Sequence, residues 1–168
     1  REVKSRILKF IFDEHPFLSA CLITLSISLF YLIFFYPGTM SYDGLWQLDV
    51  YKGITVIADN HPPIIGFTNH HPALITLIMG FLMDIGRSLL NDNLGMFLYI
   101  LPQIFVNAFV YAYVLKIMKK MDTPLIIKLG SLIFYSAFPF LVINSITYIK
   151  DTMFYLIFLM LLLLQEYF

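Results

Sequence analysis

The sequence predicts an all-α fold: a polytopic transmembrane bundle whose large outer loop carries short juxtamembrane helices. Three observations carry that expectation. Of the 168 residues, 60% are hydrophobic and 17% aromatic, and only 13% are charged, where a soluble domain carries about 25%. Apolar runs recur at the length of a membrane crossing. Lysines and arginines gather in segments that one topology brings to a single side of the membrane.

Taken in order, residues 1–14 are basic and amphipathic, with Arg1, Lys4, Arg6 and Lys9 among Ile7, Leu8, Phe10, Ile11 and Phe12. Such a segment lies on the inner membrane surface, near anionic headgroups. Pro16 opens an uncharged run over 16–36, long enough for a first span, which Pro37-Gly38 ends. Ser41 is placed to cap a helix over 41–52 that Gly53 stops. On it Asp43 and Gln47 lie four apart and share a face.

Residues 73–90 contain an apolar stretch that Asp84 and Arg87 interrupt. Eleven residues rise only about 16 Å, roughly half the hydrocarbon core. Loop charge decides the matter. A second span over 94–115 is followed by Lys116, Lys119 and Lys120, and a third, over 125–146, has Lys128 in its first turn. If 73–90 stays in the outer leaflet, these lysines join the basic N-terminus inside, so that eight of the eleven Lys and Arg residues share one side. The non-crossing arrangement follows, with Asp84 and Arg87 paired near the outer interface. Gln103 and Asn107 share an inward face of the second span. The fourth span, 152–168, puts Lys150 and Asp151 on the same outer side as Asp43. The N-terminus is then cytoplasmic, and the whole is one membrane domain with an outer loop over 37–93.

Several function classes drop out. A formal net charge of zero leaves no basic surplus for nucleic acid. Cys21 is the only cysteine, so no disulfide framework and no cysteine-based zinc site is available. Neither G-x-S-x-G, S-x-x-K nor a Walker sequence occurs. The first apolar run is too long for a signal peptide and reads as a retained anchor. A chain that starts at Arg1 and stops in an apolar run at Phe168 reads as part of a longer protein.

Chemistry concentrates in 36–72, which holds three of the four histidines and the only tryptophan. Asp43 suits a general base, or else a first-turn carboxylate that satisfies a helix dipole. Lys150-Asp151 suits phosphate binding with a nearby acid, or else an interfacial pair whose lysine reaches headgroups. Prolines beside His61 and His71 preclude the i, i+4 pair common in catalytic zinc sites. Hydrogen bonding at the interface and substrate contact by His70 and His71 therefore rank ahead of zinc with Asp59. No metal site is assigned, and a divalent cation stays open as a cofactor.

Pro37-Gly38-Thr39-Met40-Ser41-Tyr42-Asp43, then Gln47, and His71-Pro72-Ala73-Leu74 opening an apolar helix, together resemble the GT-C class of polytopic glycosyltransferases. That class includes the protein mannosyltransferases and the bacterial lipid A aminoarabinose transferases. The pattern is most similar to a bacterial branch carrying PG-x-x-S-x-D and His-His-Pro. The resemblance implies transfer of a sugar from a polyprenyl-phosphate donor at the outer face of the plasma membrane, with Asp43 as the first-loop acid and Asp151 as the second-loop acid. By the same resemblance His71-Pro72 matches the start of the loop-closing helix; the chemistry of such a transfer gives the departing phosphate to Lys150 or Arg87, and Gln47, His70, His71 and Lys150 are the candidate substrate contacts. The expected partners are a lipid-linked sugar donor and membrane lipids. One departure stands out: the mannosyltransferases have paired acids in the first loop, and here Gly44 follows Asp43. A transporter or flippase is the alternative, because intramembrane polar residues and prolines also mark substrate pathways. A structural subunit comes third.

Overall fold

The computed structural model describes residues 5–55 and 72–165. Apart from two short strands, the regular structure of these residues is helical. Asp59, His61, His70 and His71 lie outside the described residues.

Helix α1 (Arg6–Lys9) runs into one π-helical turn, Phe10–Glu14, closed by the His15 N–H donating to the Phe10 carbonyl at 2.9 Å. Phe12 is buried, and Lys128 Nζ donates to Asp13 at 3.1 Å. The basic N-terminal segment is therefore pinned to the helix bearing Lys128.

Helix α2 (Pro16–Phe34) buries Ser19, Ala20, Thr24 and Ser28 and exposes Leu18, Leu22, Phe30, Ile33 and Phe34. Small and polar groups inside with large apolar groups outside is the arrangement of a helix packed closely to its neighbours within lipid. Strand β1 (Thr39–Met40) and helix α3 (Tyr42–Tyr51) follow, then α4 (Ala73–Leu89) and α5 (Asp92–Lys120). Gly86 of α4 meets Gly95 of α5 so closely that a Cβ at position 86 would strike the Gly95 backbone. Asp84 and Arg87 pair at 3.5 Å as their spacing predicts, yet the stronger partner of Arg87 is Asp92, gripped at 2.7 and 2.9 Å.

The single span expected over 125–146 is two helices, α6 (Leu125–Ala137) and α7 (Pro139–Ser145), bent by 48°. Proline disfavours the helical region for the residue before it, and Phe138 is accordingly extended (φ −67°, ψ 119°). Strand β2 (Thr147–Tyr148) and helix α8 (Lys150–Leu164) complete the chain. Among the described residues two helices, α2 and α5, are long and apolar enough to cross a membrane, or three spans result if the bent α6–α7 pair counts as one. α8 is described over 15 residues, about 22 Å, short of the roughly 30 Å hydrocarbon core.

The core follows α5. Its first half packs with Leu32, Leu48, Met79, Met83, Ile146 and Tyr148. Its second half meets Ala20, Phe12 and Leu132 in one cluster and Leu156 in another.

Candidate functional site

Two strand-to-helix junctions, over a hundred residues apart in sequence, lie side by side. β1 and β2 pair in parallel, with Thr39 opposite Thr147 and Met40 opposite Tyr148. The Thr147 hydroxyl donates to the Ile143 carbonyl at 2.7 Å, which leaves the Thr39 hydroxyl to donate to Thr147 Oγ1, also at 2.7 Å. Each strand runs directly into a helix, so both junctions present the same sequence position in register: Asp43 and Asp151 each stand four residues beyond the paired threonines.

Ser41 does two jobs here. Its Oγ accepts the Gly44 N–H at 2.9 Å, capping α3, and donates to the Tyr148 carbonyl at 3.1 Å. Gly44 is required by the same approach, since a Cβ there would strike the Tyr148 carbonyl oxygen. Position 44 thus has no room for a side chain, so no acid can directly follow Asp43 in this arrangement.

From the other side, α5 holds the β2 segment. Gln103 Nε2 donates to the carbonyls of Asn144, Ser145 and Thr147 at 3.2, 3.0 and 2.9 Å, and the Tyr99 hydroxyl donates to the Ile149 carbonyl at 3.0 Å. These two residues stand four apart, one above the other on the inward face of α5. Fixing Ile149 fixes the start of α8, and with it Lys150.

The Lys150 ammonium is 3.4 Å from Asp43 Oδ2 and 3.5 Å from Asp151 Oδ1, with its side chain 8% exposed against 34% and 59% for the two aspartates. A buried cation is thus shared by two acids that open outward, and the two carboxylates stand within about 7 Å of each other, inside the span of an ordinary ligand pocket. Both acids occupy the first turn of their helix, where negative charge complements the positive end of the macrodipole. Burial pushes the neighbouring Tyr148 hydroxyl far above the ordinary tyrosine range, so it stays neutral.

The other predicted site residues are elsewhere. Gln47 is fully buried, and its Nε2 donates to the Thr76 hydroxyl at 3.0 Å, tying α3 to α4. Arg87 is occupied by Asp92 and Asp84. Among the described residues no three His, Cys, Asp or Glu side chains converge, and the Lys150 ammonium is shared between Asp43 and Asp151. Tyr99, Thr39, Thr147 and the second role of Ser41 are not predicted from sequence. The signal for the threonines was present as a pair of five-residue strings, Thr39-Met40-Ser41-Tyr42-Asp43 and Thr147-Tyr148-Ile149-Lys150-Asp151.

The cluster also has a fixed place along the bundle. From Tyr99, which holds Ile149, to Lys119 near the end of α5 is roughly 20 residues, or about 30 Å, the thickness of a hydrocarbon core. The lysine-rich end of α5 and the Asp43–Lys150–Asp151 cluster are separated by that length.

No curated protein and no solved structure matches the chain. The family match begins at the first strand and takes in both junctions: the chain belongs to DUF6020, a family of unknown function, whose model matches residues 39–167.

Proposed function

We propose that the chain is a multi-pass glycosyltransferase of the bacterial plasma membrane, with a cytoplasmic N-terminus, moving a sugar from a polyprenyl-phosphate donor to an acceptor hydroxyl at the outer face. The observation that carries this reading is the buried Lys150 shared between Asp43 and Asp151, a membrane thickness from the lysine-rich end of α5. A donor whose tail stays in the bilayer needs its reacting carbon at the interface, and interface depth is where that separation puts the cluster if the lysines face the cytoplasm.

The chemistry assigned is direct inverting transfer. Asp43 takes the proton of the acceptor hydroxyl. The acceptor oxygen bonds to the anomeric carbon as the bond from that carbon to the phosphate oxygen breaks, and the electron pair leaves on the phosphate. Lys150 offsets the phosphate charge, and Asp151 holds the ammonium from the far side. Arg87 has no part in the step, because Asp92 and Asp84 hold it. Gln47 supports the site through Thr76 and α4.

Membranes carrying the protein, given labelled polyprenyl-phosphate sugars, should consume the donor. Asp43→Asn should lower the rate by about 10²–10⁴-fold, the usual contribution of a general base, at unchanged protein level. Consumption by Asp43→Asn at the wild-type rate would sink the assignment. A transport reading draws on a different observation, the buried Thr24 Oγ1 and Asn107 Oδ1, which have no hydrogen-bond partner among the described residues. It calls for substrate to cross proteoliposomes without chemical change.

A further inference from the structure

A second site lies at the opposite end of the bundle from the acid cluster. A cavity of about 520 Å³ opens between the start of α2 and the last turns of α5. That volume is within the ordinary ligand-site range of roughly 300–1,000 Å³. One wall carries Lys116, Lys119 and Lys120, and the other is formed by His15, Phe17 and Leu18. Among the described residues the lining has one acid, Glu14, 3.8 Å from Lys9, which answers its charge from outside the cavity. Among the described residues Lys116 and Lys119 thus give the lining a positive surplus.

The α2 wall adds donors. His15 is the N-cap residue, makes no side-chain cap hydrogen bond, and is followed by Pro16. The N–H groups of Phe17 and Leu18, the next two residues, have no acceptor within the helix, and they stand at its positive end. Both residues line the cavity. The helix start therefore offers uncapped donors facing a wall of three ammonium groups, which is the combination that binds phosphate.

What adjoins the cavity selects the source of that phosphate. Leu18 and Leu22, successive along one face of α2, are 52% and 53% exposed, so an apolar track leads away from the charged mouth toward the middle of the bundle. Phe17, which lines the cavity, packs edge-on against Phe109 of α5 at 5.3 Å. A polar cationic pocket continuous with an exposed apolar track fits a molecule with a phosphate head and acyl tails. We propose that this cavity binds the headgroup of an anionic phospholipid, one per chain, in the leaflet that faces the lysine-rich end. The site is independent of the proposed transfer reaction.

The test is native mass spectrometry of the detergent-solubilised full chain titrated with phosphatidylglycerol, phosphatidylcholine or inorganic phosphate. Phosphatidylglycerol should bind saturably at one per chain and at least about tenfold more tightly than phosphatidylcholine. A single Lys119→Gln should weaken it about fivefold, the equivalent of the ~1 kcal/mol that a basic residue near an anionic lipid surface contributes. The triple Lys116→Gln, Lys119→Gln, Lys120→Gln variant should fall to the phosphatidylcholine level. All three lysines are exposed, but Lys116 lies over the Tyr113 ring at 5.5 Å, so the midpoint of the triple variant without lipid is measured alongside, and Lys119→Gln alone decides the matter if the triple variant does not fold. Lys52→Gln, in the capping turn of α3, should leave binding unchanged. Unsaturable binding, equal affinity for the two lipids, an unaffected Lys119→Gln variant, an equal loss in Lys52→Gln, or displacement of the lipid by millimolar inorganic phosphate would each overturn the proposal.

Discussion

Gln103→Leu tests the clamp that positions Lys150. The Gln103 amide nitrogen faces three carbonyls, and the residue is 1% exposed. Of these, the Asn144 carbonyl keeps a second donor in the Thr152 hydroxyl at 3.0 Å, whereas Ser145 and Thr147 lose the donor that Gln103 supplies. A buried acceptor left without its donor costs about 1–3 kcal/mol. Part is returned, because Gln103 Oε1 is buried without a partner and leucine removes that atom. The net loss should be about 2–4 kcal/mol, read as a fall of roughly 5–15 °C in the thermal unfolding midpoint of the detergent-solubilised chain. The comparison is Asn107→Leu one turn on, where the buried Oδ1 has no partner to lose, so the cost should be smaller. If Gln103→Leu unfolds within about 1 °C of wild type, or below it by no more than Asn107→Leu does, the clamp does not hold the β2 segment.

Two further outcomes follow from packing and charge. Gly86→Ala should destabilise by about 1–3 kcal/mol, the range for overpacking, because the added methyl meets the Gly95 backbone, whereas Gly130→Ala, with open space around it in mid-helix, should stabilise by about 0.5–1 kcal/mol; equal midpoints for the two variants would refute the α4–α5 contact. The Tyr51 hydroxyl donates to Asp84 at 2.8 Å, and that bond, with the carboxylate charge, raises its pKa. A raised folded-state pKa means the stabilisation is complete below the unfolded tyrosine value of about 10 and is lost as pH rises through the folded value. Unfolding midpoints measured from pH 8 to 11 should therefore show an alkaline loss that Tyr51→Phe reduces, the remainder belonging to the buried tyrosines such as Tyr148.

Much of the local structure was legible because it rests on residues near in sequence. Ser41 caps α3 and Gly53, at φ +71°, ends it, since a hydroxyl at a helix start and a glycine in the left-handed region act within one turn. The position of Pro139 was legible and its effect was not: a continuous span was expected where Phe138 breaks the helix. Gln103 was expected to hold neighbouring helices together, and it does, but its partners are backbone carbonyls, which no side-chain pattern announces. Gln47 was grouped with Asp43 because four residues separate them, yet Thr76 on another helix takes its amide into the core.

The sequence by itself determined the helical class, the apolar segments and the acid and base positions worth watching, because composition and periodicity are properties of the chain alone. The joining of Asp43 to Lys150 and Asp151 was decided only by the tertiary structure. That juxtaposition depends on two two-residue strands pairing across 108 positions, too short to show a strand period. It depends equally on glycine at 44 letting β2 approach. The physical reason is that a long-range backbone pairing is specified jointly by both partners, and neither half carries the signal until α5, through Tyr99 and Gln103, brings them to the same place.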